Sequence, residues 1–137
     1  FKEALDGSTN LPGIPSARLL SEIRIEMFKK SKAIRNSFIN MQLDNVFAQN
    51  NPFVGYNTET VTSAYTILNI GFSTQVQHKN KTLFSVSLVG QNIADVAYQN
   101  HLNRLKYGPI NEATGRMGVF NMGRNFSLKI NVPLQFN

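Results

Sequence analysis

The chain reads as all-β: about five antiparallel, up-and-down strands that form the end of a transmembrane β-barrel. Three observations lead there. Apolar residues recur at every second position over long stretches. Short and long connections alternate along the chain. Charged residues make up 16% of the sequence, against about 25% in ordinary soluble domains. The rival architecture at this point is a soluble sandwich with each apolar face on a core.

The last stretch, Arg124 to Phe136, carries the pattern most clearly. Phe126, Leu128, Ile130, Val132, Leu134 and Phe136 alternate with Asn125, Ser127, Lys129, Asn131, Pro133 and Gln135. A strand sends these two sets to opposite faces, whereas a helix would scatter the apolar set. From Phe126 to Phe136 the strand would run about 33 Å, and at a barrel tilt it would cover ~25 Å of membrane normal. A sandwich strand is usually about half as long.

In order, residues 1–16 read as loop, because Gly7, Ser8, Asn10, Pro12, Gly13 and Pro15 punctuate it too densely. A strand follows over Ala17–Phe28, with Leu19, Ile23, Ile25 and Met27 on one face and Glu22, Arg24 and Glu26 on the other. An amphipathic helix capped by Ser16 competes. The cleaner odd-position match and the isoleucines favour a strand. Lys29–Lys32 forms a charged turn. The next strand spans Ala33–Phe47, with Ser37, Ile39, Met41 and Leu43 opposite Asn36, Asn40, Gln42 and Asp44. Phe38 falls on the polar face, and a bulge would repair that mismatch.

Residues 48–63 read as a polar loop. A strand over Ala64–Gln77 places Leu68, Ile70, Phe72 and Val76 against Asn69, Gly71, Ser73, Gln75 and Gln77. His78–Lys81 is a second short turn. Thr82–Asn92 is a strand with Phe84, Val86 and Leu88 on one face and Ser85, Ser87 and Gln91 on the other. Residues 93–123 form a long connection before the closing strand. Short connections thus fall at one end of the sheet and long ones at the other, as in outer-membrane barrels. Five strands cannot close such a barrel, which needs about eight or more, and open edges do not survive in hydrocarbon. The remaining strands are therefore expected elsewhere in a longer polypeptide. The sequence starts at Phe1 rather than Met and contains no charged-then-apolar signal segment, which agrees with that expectation.

The 137 residues suffice for one domain, read as a single barrel segment over 1–137. The net charge of +6 and pI near 9.8 favour an anionic surface or ligand. There is no cysteine, hence no disulfide or thiolate metal site. No apolar run is long enough for a transmembrane helix.

Several local motifs resemble one family. Gln91-Asn92-Ile93-Ala94-Asp95-Val96-Ala97-Tyr98 is similar to the Asn-Leu-Phe-Asp-x-x-Tyr signature of TonB-dependent outer-membrane receptors. Gly123-Arg124-Asn125-Phe126 resembles that family's Gly-Arg-x-Phe/Tyr lead-in to its last strand, and Phe136 its terminal aromatic. Residues 11–18 are similar to its proline-containing approach to a descending strand, and Tyr65 to Gly71 to its Tyr-x-x-x-Asn-x-x strand. The run from Tyr98 through Tyr107 looks most like members from Bacteroidota. Ala94 stands where Phe is usual, Met122 where Pro is common, and Asn137 follows the final aromatic.

The resemblance covers nearly the whole chain. It implies the last five strands of a barrel of 22, in the outer membrane of a Gram-negative bacterium. It also implies active uptake of a small-molecule nutrient such as a ferric siderophore. The partners implied are a plug domain and the other strands of the same receptor, and the TonB complex through an N-terminal part outside this sequence. Asn92, Asp95, Tyr98, Gly123, Arg124, Phe126 and Phe136 carry the motif and are expected to be structural.

On the barrel reading, Phe126, Leu128, Ile130, Val132, Leu134, Phe84, Val86 and Leu88 face lipid. Glu22, Arg24, Glu26, Asp44 and Lys129 face the lumen. Glu22 and Glu26 lie ~13 Å apart on one face, too far for a paired-carboxylate site. Lys29, Lys30, Lys32, Arg35, Lys79 and Lys81 flank the short turns and suit anionic headgroups or mere solvation. His101, Arg104, Lys106, Tyr107 and Arg116 in the long connection are candidate ligand contacts, and its basic residues suit lipopolysaccharide phosphate. Solvated loop charge is the competing account. His78 and His101 both read as solvated. No catalytic residue, cofactor, metal site or nucleic-acid motif is expected. The alternatives are another outer-membrane barrel, such as a porin or an autotransporter end, and a soluble all-β binding module.

Overall fold

A computed structural model describes residues 10–28, 31–79 and 81–134. These contain strands β1 (Arg18–Met27), β2 (Ile34–Val46), β3 (Tyr65–His78), β4 (Lys81–Gln91), β5 (Ile110–Asn111), β6 (Arg116–Met117) and β7 (Asn125–Asn131). There is no α-helix among the described residues. One five-stranded sheet has the order β1-β2-β3-β4-β7, and β5 and β6 form a separate small hairpin. The order follows the chain, so the sheet is an up-and-down meander, and β1 and β7 are its open edges. The chain divides into two compact units. One gathers the connections, within residues 1–19, 45–66 and 96–123; the other holds most of the sheet, within 20–44, 67–95 and 124–137.

In the sheet unit, the antiparallel registers of β3 with β4 and of β4 with β7 build continuous rows. Phe72, Leu88 and Leu128 lie side by side, as do Thr74, Val86 and Ile130. Between them run Ser73, Ser87 and Lys129, and Gln75, Ser85 and Asn131. The period-two pattern of each strand is thus in phase with its neighbours, as face-specific cross-strand packing requires.

The apolar rows are exposed toward β7 and half-buried at Phe72, Thr74 and Val86. Leu128 is 64% exposed and Ile130 57%. Along β2, Ile39, Met41 and Leu43 are exposed, while Phe38, Asn40, Gln42 and Asp44 between them are half-buried. A soluble sheet does the reverse. Among the described residues, Phe53 and Ile67 are the only buried large apolar side chains.

The polar face bonds to itself. Asn36 donates to Gln75 at 2.8 Å, Asn69 to Gln42 at 3.0 Å, and Ser73 and Ser87 share a bond of 2.9 Å. The Asn40 amide lies directly over Gly71, where any Cβ would collide with it. The Phe38 mismatch has a physical reason other than a bulge. The Arg24 guanidinium stacks over the Phe38 ring at 3.6 Å, so the ring is the platform for a charge on the polar face. Irregularities do occur nearby, at Asn36 with φ of 49° and in the register between Val76 and Gln77. Neither moves Phe38 to the other face.

Two polar side chains sit among the apolar rows. Ser37 Oγ and Thr74 Oγ1 lie 2.6 Å apart, and Ser37 is buried. One hydroxyl donates to the other, so both oxygens share a hydrogen bond among the apolar side chains. Gly90 lies opposite Phe126, and an added Cβ would meet the Phe126 ring at 3.0 Å and Ile93 at 2.9 Å. The aromatic ring covers the bare glycine backbone.

Four expectations need correction. The closing strand was expected to reach Phe136, but its ladder ends at Asn131, paired with Ser85. Pro133 has no N–H to donate, which stops the ladder. Leu134 follows as irregular chain, and Gln135 and Phe136 lie outside the described residues, as do Lys29, Lys30 and Asn80. His78 and Lys81, expected in a turn, pair as strand ends, and Lys79 follows β3 at φ 48°. The connection 93–123 is not irregular throughout, since it holds a 3-10 turn (Arg104–Tyr107) and the β5/β6 hairpin. The loop 48–63 likewise carries a 3-10 turn, Gly55–Asn57, and a Gln49–Thr62 bridge.

Replacing Ser37 by Ala strands the Thr74 hydroxyl and should cost about 1–3 kcal/mol, most of it recovered in a Ser37→Ala/Thr74→Val double variant. Equilibrium unfolding of the two single variants and the double variant measures this coupling.

Candidate functional site

The connection unit is organised by Glu59, the one acid between Asp44 and Asp95. Its Oε1 accepts from the Gly13 amide at 2.6 Å, and its Oε2 accepts from the Phe53 amide at 3.0 Å. Oε2 also lies 3.3 Å from His101 Nε2. The carboxylate therefore joins the leading segment, the 48–63 loop and the 93–123 connection. Burial works to raise its pKa. The Gly13 and Phe53 amides and the His101 imidazole outweigh that and hold it below the ordinary value of 4.5.

A chain of hydrogen bonds continues inward. His101 Nδ1 lies 2.8 Å from Thr62 Oγ1, and Lys106 Nζ donates to the same hydroxyl at 2.7 Å and to the Thr60 carbonyl at 3.2 Å. Donor and acceptor capacity fixes the roles for a neutral imidazole. Glu59 only accepts, so Nε2 carries the proton. Thr62 accepts from the ammonium, so its own proton goes to Nδ1. His101 is 4% exposed and Lys106 7%. Groups this polar are seldom so buried, and here each has its partners. Thr62 is held by two-way backbone bonds with Gln49, at 2.9 and 3.1 Å.

The Arg104–Tyr107 turn delivers Lys106. Asn103 caps it by accepting from the Leu105 amide at 3.0 Å. Gly118, at φ 70°, lies against the Lys106 carbonyl so closely that a Cβ would clash with backbone. Tyr107 Oη accepts from the Thr60 amide at 3.1 Å. Burial tends to raise the phenol's pKa, but that amide and the Lys106 ammonium lower it overall. Tyr98 packs on Tyr65 with ring centroids 4.5 Å apart, and its carbonyl accepts from Asn121.

A cavity of about 580 Å³ opens in this unit. Pro12, Phe53 and Tyr107 give it apolar walls, and Glu59, His101 and Arg104 give it charge. Its size is that of small-molecule sites. Thr62 and Lys106 do not line it. The hydroxyl–imidazole–carboxylate sequence resembles a nucleophile relay, but its hydroxyl is held by Lys106 away from the cavity. Its chemistry is therefore positional. It fixes the cavity wall.

The candidate ligand contacts separate accordingly. Arg104 is exposed and Tyr107 half-buried, and both line the cavity with His101. Lys106 is buried behind the wall. Arg116 is exposed and lies over the Phe120 ring at 5.2 Å. The expectation of a solvated His101 is corrected, because Glu59 and Thr62 engage both its ring nitrogens. His78 is exposed. Glu59 and Thr62 were missed, although an isolated acid in the run Thr58-Glu59-Thr60-Val61-Thr62 was a visible signal. No group of three metal-ligating side chains occurs among the described residues.

In the sheet unit, two motif segments meet. Asp95 Oδ1 accepts from the Arg124 amide at 2.9 Å, and its Oδ2 lies 3.6 Å from the Arg124 guanidinium. The Arg124 amide first, then its guanidinium, hold the Asp95 carboxyl below its usual range against the opposing effect of burial. Asn92 and Asp95 both have positive φ, 47° and 55°, and the Asp95 amide closes a turn onto the Asn92 carbonyl at 2.8 Å. Asn92 is buried, and its amide donates to Asn69 Oδ1 at 3.0 Å. Gly123 is exposed ahead of β7, and Phe126 starts the strand's apolar row. Leu88, Leu128, Ile130, Val132 and Leu134 are exposed, while Phe84 and Val86 are half-buried.

Because the Glu59 pKa is lowered, its stabilising contribution is complete above pH 4.5 and is lost as pH falls through the lowered value. Hydrogen-exchange protection of the Gly13 and Phe53 amides should therefore fall in that acid window. Glu59→Gln should remove that pH dependence and cost about 1–3 kcal/mol at neutral pH.

No family model, curated protein or solved structure matches the chain.

Proposed function

We propose that this chain is a segment of the wall of an outer-membrane β-barrel, of the TonB-dependent receptor kind, serving active uptake of a small-molecule nutrient such as a ferric siderophore. The observation that carries the reading is an apolar sheet face without a protein cover over much of its extent: Leu88, Leu128 and Ile130 are exposed, and along β2 the apolar residues Ile39, Met41 and Leu43 are more exposed than the mutually bonded polar residues between them. Lipid is the solvent that stabilises such a face, and a wet lumen suits the other. The open edges at β1 and β7 fit a sheet that continues into further strands. Strands β2 and β3, of 13 and 14 residues, are long enough to cross a bilayer at a tilt of about 45°.

The receptor kind rests on motif residues. Asn92, Asp95, Gly123, Arg124 and Phe126 come from two separate motif segments, and the Asp95–Arg124 contact ties those segments together. A connection unit held rigid by a buried polar chain, with a cavity of small-molecule size, suits loops that capture a ligand. In the whole receptor a plug would fill the lumen, and the TonB complex would supply energy through the N-terminal part. Lipopolysaccharide would meet the exposed basic loop residues. The chain's own residues would do no covalent chemistry.

Leu128→Arg should cost about 2–4 kcal/mol in a bilayer, whereas Lys129→Leu on the other face should be nearly neutral. Unfolding of the protein in lipid vesicles measures both. Equal costs would point to a soluble module, as would a monodisperse protein without detergent. For the transport reading, collapse of the proton gradient should abolish ligand uptake while leaving ligand binding intact. Passive uptake that survives the collapse would identify a porin.

A further inference from the structure

A second cavity, of about 450 Å³, lies in the sheet unit beside the short connection between β1 and β2. Arg24, Lys32 and Arg35 line it, together with Ser31 and Phe38. We infer that this cavity binds a phosphate-class anion, either free phosphate or the phosphate of a glycerophospholipid headgroup. The inference rests on the sheet unit alone and stands whether or not the transport reading holds.

Three basic side chains line the cavity against one acid, Glu26. Among the described residues, neither Lys32 nor Arg35 has an ion-pair partner. Glu26, the one acid in the lining, is engaged in an interaction of its own. Like charges gathered at one cavity repel, and an anion between them removes that cost. Arg24 is also pre-organised. Its stack on Phe38 at 3.6 Å fixes the guanidinium plane and leaves the N–H edges for a ligand. Ser31 Oγ accepts from the Ile34 amide at 3.2 Å, so its own proton remains available to donate.

The donors therefore come from three parts of the chain: β1, the turn and β2. A tetrahedral phosphate offers acceptor oxygens to several directions at once, whereas a carboxylate offers two in one plane. That geometry favours phosphate over an acidic peptide.

The test is calorimetric titration of the folded chain in a maltoside detergent at constant ionic strength. The probes are inorganic phosphate, dihexanoyl phosphatidylglycerol below its micelle concentration, and a glutamate-rich peptide. Two charge-matched double variants are compared, Lys32→Gln/Arg35→Gln in the cavity and Lys79→Gln/Lys81→Gln at the other short turn. Circular dichroism establishes that each retains its β signal. We expect saturable binding that weakens by about tenfold or more in the cavity variant and stays within about twofold in the control. Phosphate binding alone would identify the free anion. Binding of the lipid but not of phosphate would identify the headgroup. Equal weakening in both variants, no saturation by either phosphate probe, or tighter binding of the peptide would overturn the inference.

Discussion

The cross-strand phase of the sheet is the constraint on which the rest depends. Because Phe72, Leu88 and Leu128 share one row, and Ser73, Ser87 and Lys129 the next, each strand's alternation adds to its neighbour's. A slip of one residue would mix the two faces everywhere. The phase produces one coherent apolar surface and one coherent polar surface. The polar surface then satisfies itself through amide and hydroxyl bonds between strands, and through Arg24 stacked on Phe38. Even the two hydroxyls that fall among the apolar rows, Ser37 and Thr74, are spent on each other.

The connection unit solves a different problem with different means. It has Phe53 as its sole buried large aromatic or aliphatic side chain among the described residues of that unit. Long connections cannot rely on burial of apolar surface when so little is available. Charge-assisted hydrogen bonds take that role, running from Glu59 through His101 and Thr62 to Lys106. Such a network is directional and specifies one arrangement when every member is satisfied. It also gives the cavity a fixed wall with a carboxylate whose oxygens are held by hydrogen bonds, and leaves Arg104 as an exposed cation of its lining.

Much of the sheet was legible because its signal is local. Period-two alternation in Arg18–Met27, Tyr65–His78 and Lys81–Gln91 needs no knowledge of the rest of the chain. The end of β7 was misjudged because alternation continues through Leu134 while Pro133 breaks the ladder, and hydrogen bonding outranks pattern at an edge. Phe38 looked like an error of face because its partner, Arg24, lies on another strand. The β5/β6 hairpin was overlooked although Asn111 and Gly115 mark its turn, with Gly115 at φ 66°. The site was the least legible part. Glu59, Thr62, His101 and Lys106 lie up to 47 positions apart, counting from Glu59 to Lys106, and no local rule joins a lone acid to a distant histidine.

The central claim is that the apolar rows meet acyl chains and the polar rows meet water. The chain has no cysteine, so nitroxide labels can be placed singly at Leu88, Leu128, Ser87 and Lys129 in protein reconstituted into liposomes. Relaxation by oxygen, which concentrates in lipid, is compared with relaxation by a water-soluble nickel chelate. The account predicts that oxygen reaches positions 88 and 128 and the chelate does not, with the reverse at 87 and 129. Labels at 88 and 128 shielded from both reagents would mean that protein covers that face, and would contradict it.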